Sequence, residues 1–394
     1  MQKQIIFLIA VLAVGVWLRF SLVSKPGYAY DIQSFVSWGR QVEQTGIRNF
    51  YKGDEAYNGY KYPPVVPMMT SILLKITPKI APETAFKYLP ILFDIILSVL
   101  TIIFVYKSSL ERKYLLTAIV AIQPAFALVS GAWGQVDSIL ATFLILAAIL
   151  AIKYEYLATI VFIFSILVKP QAILAVGIYY VFLLFSKSLK QFARQVIFGV
   201  VLFIIAEIIL EKICGVGIWY FIKNSVGAYK NLSLNAFNLW WAIYGHNSWN
   251  IQDDVGKMIS YKSVGMTLFV LFLFPALLYL KTVKKVAQLM LVLGYAYLLF
   301  FIFPSQIHER YLFTSVAFLA FAPLVDKKFF WPYCGLVLSF MLNIFAVLQS
   351  VYPQFNFLRI NLLLGDWTRI VALFNIVVCM YFFWWFSRET IIKN

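Results

Sequence analysis

Twelve apolar runs, parted by short polar links, divide this chain: 4–23, 86–106, 115–130, 137–152, 156–168, 171–185, 193–213, 263–280, 286–304, 311–325, 330–350 and 369–386. A hydrocarbon core takes about 20 helical residues to cross, fewer where a segment is partly buried in protein. Backbone polar groups find no water there, so runs of this kind fold as helices. Hydrophobic residues make up 62% of the chain and charged residues only 13%, against about a quarter charged in soluble domains. The expected fold is therefore all-α, a polytopic helical membrane protein of about twelve transmembrane helices forming one membrane domain over residues 1–394. A thirteenth apolar stretch, 65–76, is short, follows Tyr62-Pro63-Pro64 and has Lys75 and Lys79 around its end. It reads as a helix lying in the interface or dipping part way. Lys3 precedes an apolar run to Val23 with no small-residue cleavage site, which reads as a retained first span.

The net charge of +16 asks how Lys and Arg divide between the two sides. With twelve spans and a cytoplasmic N-terminus, the inner links 107–114, 153–156, 186–194, 281–285 and 326–328 and the tail after Ser387 hold the basic residues. They include Lys107, Arg112, Lys153, Arg194, Lys281, Lys328 and Arg388, whereas the short outer links hold only Lys169 and Arg310. An extra span at 65–76 would invert this asymmetry. Both termini are thus expected in the cytoplasm, with the long segments 24–85, 214–262 and 351–368 outside. No groove for nucleic acid is implied. Cys214, Cys334 and Cys379 are too scattered for a disulfide framework or metal cluster, and His246 lacks neighbours at metal-ligand spacing.

Chemistry-bearing residues gather on the outer side. Asp31 opens an amphipathic run, with Ile32, Phe35, Val36 and Trp38 against Gln33, Ser37 and Arg40, expected as an interfacial helix. Asp31 also suits a helix N-cap, as does Asp137 in Trp133-Gly134-Gln135-Val136-Asp137-Ser138. Trp133 fits an interfacial belt, or a plate for a sugar between two glycines. Lys169, in Lys169-Pro170-Gln171, is either a snorkelling lysine or the partner of an anion. The segment 214–262 is rich in Trp and Asn, as suits carbohydrate or headgroups, and Asn231-Leu232-Ser233 matches a glycosylation sequon. Asp94 lies within a span, where structural pairing is the expected role. The most concentrated cluster is His308-Glu309-Arg310-Tyr311, between two apolar runs. Glu309 and Arg310 there form either a local ion pair at a helix end or part of a functional site.

With these motifs in order over residues 28–311, the chain resembles the GT-C superfamily of polyprenyl-phosphate-sugar-dependent glycosyltransferases, in particular bacterial relatives of the GPI-anchor mannosyltransferases. The resemblance rests on Tyr30-Asp31, Tyr62-Pro63-Pro64, the stretch from Trp133 to Ser138, Lys169-Pro170-Gln171 and the stretch from His308 to Tyr311. Members often carry adjacent acidic residues in the first outer loop. Asp31 has no acidic neighbour, which fits metal-independent members, so no cofactor is expected. The resemblance implies transfer of a hexose, with mannose favoured, to an extracytoplasmic glycolipid, cell-wall polymer or protein, in a bacterial plasma membrane.

A sugar joined to a lipid phosphate leaves as a stable anion, so one carboxylate acting as base on the acceptor hydroxyl is enough, with cations on the phosphate. Asp31 is the expected base, with inversion at the anomeric carbon. Arg310, Lys169 and His308 are expected at the donor phosphate, and Trp133, Gln135, Asp137, Glu309 and Tyr311 at the sugar or acceptor. Asp31, Lys169 and Arg310 are expected to share one outer cavity. The rival expectation is a twelve-span transporter or flippase of lipid-linked sugars, which would place its site near the midplane between repeats; the chain shows no such repeat.

Overall fold

The structure is a computed structural model that describes residues 2–53, 62–225, 229–252, 260–351 and 362–393. The parts of the three long segments at 54–61, 226–228, 253–259 and 352–361 lie outside the described residues. The helices in chain order are α1 (Gln2–Ser21), α2 (Ala29–Thr45), α3 (Ile47–Lys52), α4 (Val65–Ile76), α5 (Pro82–Tyr106), α6 (Lys113–Ile122), α7 (Pro124–Ala127), α8 (Asp137–Leu150) and α9 (Glu155–Ile166). They continue as α10 (Ile173–Ser186), α11 (Leu189–Cys214), α12 (Ile218–Ser225), α13 (Leu239–Tyr244), α14 (Tyr261–Tyr279), α15 (Val286–Ile302), α16 (Leu312–Leu319), α17 (Phe330–Val351) and α18 (Trp367–Lys393). The protein is thus all-α and polytopic, and every apolar run falls on a helix. Among the described residues six stretches, at Gln4–Ser21, Pro82–Tyr106, Lys113–Trp133, Tyr261–Thr282, Lys327–Ser350 and Trp367–Ile392, are long and apolar enough to cross a membrane by length and composition. The run 65–76 is the short helix α4, which starts directly after Pro64.

Local chemistry sets the helix ends. Ser188 and Gln191 form a reciprocal capping box at the start of α11, and Gly215 closes it in the left-handed conformation with φ of 79°. The stretch from Lys113 to Trp133 is broken at Gln123 and Pro124, since proline cannot continue the hydrogen-bond ladder of α6. It ends in a π-helical turn, Leu128–Trp133.

The chain forms two compact units, and it passes between them within α1, within α5, at the π-helical turn and before Tyr229. The first comprises Met1–Gly15, Ser98–Leu128 and Tyr229–Asn394. Its core is α15 against α16, which meet at Gly294, where a Cβ would lie 2.8 Å from the Leu319 side chain. Buried amides on α17 and α18 clasp the segment before α13. Asn343 donates to the Asn235 carbonyl at 2.8 Å, and Asn375 donates to the Phe237 carbonyl at 2.9 Å. That segment holds β1 (Ser233–Leu234), which pairs in parallel with β2 (Ile307–His308).

The second unit comprises Val16–Leu97 and Val129–Ala228. There α2 packs on α4 where Gly39 leaves room; a Cβ would lie 2.6 Å from Thr70 Cγ2. Arg19 and Asp94 are buried and joined twice, Nε to Oδ2 at 2.8 Å and Nη2 to Oδ1 at 2.9 Å. Ser130 donates to the same carboxylate at 2.8 Å. The expected structural pairing of Asp94 is therefore present, and its partner comes from within the first apolar run. Lys87, also buried, donates to the carbonyls of Val23 and Lys25 beyond the end of α1.

Candidate functional site

In the second unit the π-helical turn brings distant motifs together. Its widened ring directs both Gly134 N–H and Gln135 N–H to the Val129 carbonyl, at 3.1 and 2.9 Å. Gly134 then takes φ of 81°, a conformation that glycine adopts without penalty. The result aims Trp133 and Gln135 at α2: Trp133 Nε1 donates to Asp31 Oδ2 at 2.8 Å, and Gln135 Nε2 donates to the same oxygen at 2.5 Å. Tyr28 tilts over Trp133 with ring centroids 5.3 Å apart. Asp31 is half-buried, while Trp133 and Gln135 are fully enclosed.

Asp31 is not the N-cap. Tyr28 holds that position without a side-chain cap bond, and Asp31 sits in the first turn of α2 with its carboxylate turned to Trp133 and Gln135. Asp137 likewise starts α8 after Val136 rather than capping it. Its Oδ1 meets Lys169 Nζ at 2.6 Å, and both side chains are buried. Lys169 is therefore no snorkelling cation; the anion it meets is Asp137. The ring of Tyr62 lies 5.8 Å from the Lys169 ammonium, and the Val65 N–H reaches the Leu167 carbonyl at 3.4 Å. Residues from the motifs at 30–31, 62–64, 133–138 and 169–171 thus make side-chain or backbone contacts within one unit.

The fifth motif lies in the first unit. Arg310 Nη1 meets Glu309 Oε1 at 3.1 Å, both buried, so the local ion pair exists. His308 adds to it, with Nδ1 3.4 Å from Arg310 Nη1 and 4.0 Å from Glu309 Oε2. The His308 ring stands edge-on to Tyr229 at 4.9 Å and tilts against Tyr311 at 5.4 Å. Pairing of β1 with β2, and the bridge of Asn235 to His308, fix the backbone that carries the imidazole. Asn231 of the sequon donates its amide to the Trp249 carbonyl.

A half-buried carboxylate whose direction is set by two N–H donors can take a proton from a hydroxyl brought against it. A guanidinium oriented by a carboxylate presents a fixed fork suited to phosphate oxygens. The lysine and the arginine expected at a phosphate each meet a buried carboxylate, which fixes the direction of the cation. No grouping of three or more His, Cys, Asp or Glu able to hold a metal ion occurs among the described residues. Arg19, Lys87 and Ser130 escaped the sequence reading. Their signal was the presence of Arg19 and Lys87 inside apolar runs, where a cation requires a partner. No protein-family model and no curated protein matches the chain.

Proposed function

We propose that the protein is a membrane glycosyltransferase that moves a hexose, with mannose favoured, from a polyprenyl-phosphate donor to an extracytoplasmic acceptor, with inversion. The observation that carries the reading is the junction of Asp31 with Trp133 and Gln135, which ties a first-loop carboxylate to a sugar-suited aromatic and amide across 102 and 104 positions. Asp31 is the base on the acceptor hydroxyl. Trp133, Gln135 and Asp137, with Glu309 and Tyr311, serve the sugar or acceptor; Arg310, Lys169 and His308 serve the donor phosphate. The leaving phosphate needs no proton, so no second acid is required. The reaction is metal-independent. The twelve-span arrangement, the cytoplasmic termini and the bacterial plasma membrane belong to the same proposal.

The rival transport reading would use Asp94, an acid within a span. Its carboxylate is fully buried and engaged by Arg19 and Ser130, which favours a structural role. The test is sugar transfer by purified protein in liposomes holding a polyprenyl-phosphate hexose and envelope glycolipids as acceptor. Asp31→Asn should abolish transfer while the variant remains monodisperse and melts as wild type does. Full activity in that variant rules out the assigned base.

A further inference from the structure

The second unit holds an open groove of about 660 Å³ along the exposed side of α2, bordered by the start of α5. Such a volume falls within the range of small-ligand sites, about 300–1,000 Å³. From α2 it is lined by Gln33, Ser37, Arg40, Gln41 and Gln44. At about 100° per residue these positions form one stripe, roughly opposite Asp31 on the helix, over about 16 Å of its length. The groove is therefore distinct from the carboxylate site. Glu83 and Thr84 face it from α5, and Val36 and Pro82 supply apolar surface.

Its chemistry is that of hydroxyl recognition. Ser37 accepts from Gln41 at 3.3 Å, but the side chains of Gln33, Arg40, Gln44 and Thr84 make no hydrogen bond or ion pair with another described residue. Each glutamine amide offers two donors and an acceptor, matching hydroxyls that both give and receive. Arg40 and Glu83 bring one charge of each sign, so the lining carries no net charge to select a charged ligand.

We infer that this groove binds a short, uncharged oligosaccharide, its hydroxyls on the amide stripe and its C–H faces on Val36 and Pro82. The inference deepens the proposed transfer by giving the acceptor a carbohydrate portion seated away from Asp31. Binding itself needs no transfer step.

The test is calorimetric titration of the full chain in lipid nanodiscs with maltotriose, mannotriose and cellotriose, and with trigalacturonate as the charged counterpart. At least one neutral trisaccharide should bind saturably. Loss of two amides in the Gln33→Ala/Gln44→Ala variant should weaken it about tenfold, and Ser37→Trp, which fills the groove, should abolish it. Titration without donor reads binding alone, so its outcome does not depend on which residue is the base, which separates failure of the groove from failure of the catalytic assignment. Absence of binding by all three neutral sugars, tighter binding of trigalacturonate, or unchanged binding in both groove variants overturns the inference.

Discussion

Replacing Asp94 with leucine removes the carboxylate that meets the Arg19 guanidinium through two of its nitrogens. Arg19 is 1% exposed and Asp94 0%, so water cannot take the place of the lost carboxylate. Removing one partner of a buried ion pair costs about 3–5 kcal/mol, whereas replacing both with apolar residues of similar volume is often neutral or stabilising. Asp94→Leu and Arg19→Leu should therefore each destabilise the protein by about 3–5 kcal/mol. The double variant should lie within about 1 kcal/mol of wild type, because it removes both charges together and leaves neither one buried alone. Equilibrium unfolding in mixed micelles titrated with sodium dodecyl sulfate, read by tryptophan fluorescence, gives the four free energies of the cycle. If the two single losses simply add in the double variant, to about 6–10 kcal/mol, the ion pair is not what makes each residue necessary.

The Lys169–Asp137 pair should behave alike. Lys169→Met should lower the unfolding free energy by about 3 kcal/mol or more, and Lys169→Met/Asp137→Leu should recover most of it, as measured in the same titration. Gly134→Ala should cost about 1–3 kcal/mol from its left-handed backbone, with a Cβ 3.0 Å from Ile32 Cδ1; an unchanged midpoint would show that the turn adapts freely. Arg310→Lys keeps the charge but loses the fork, so the KM for the polyprenyl-phosphate donor should rise about tenfold with little change in melting temperature. Equal donor KM in that variant removes Arg310 from the phosphate.

The helices were legible because lipid-compatible segments need no partner to show their length. All twelve apolar runs land on helices, and the punctuation between them is written in residues such as Ser188, Gly215 and Pro124. Side-chain partnerships were harder. Asp31 and Asp137 both read as caps from their position before a helix, but α2 begins earlier, at Ala29, and α8 begins on Asp137 itself. Each carboxylate then faces a partner more than 30 positions away, Trp133 and Lys169 respectively. Arg19 and Lys87 were hidden by averaging, since one cation scarcely lowers the hydropathy of a long apolar run. The pairing of β1 with β2 spans two residues on each side and has no sequence period to betray it.

The π-helical turn at Leu128–Trp133 can also be read as a matter of counting. A π turn holds one more residue than an α turn, so the stretch carries, in effect, a single-residue insertion that its neighbours have absorbed. Deleting one residue there would close the widened turn to a regular α turn and change the directions in which the residues of the turn, Trp133 among them, project. Trp133 and Gln135 would then leave Asp31, though no side chain that touches the carboxylate had been altered. The chemistry proposed for Asp31 thus depends on chain length at this turn as well as on the residues in it, and shortening the turn should silence the carboxylate as surely as replacing it.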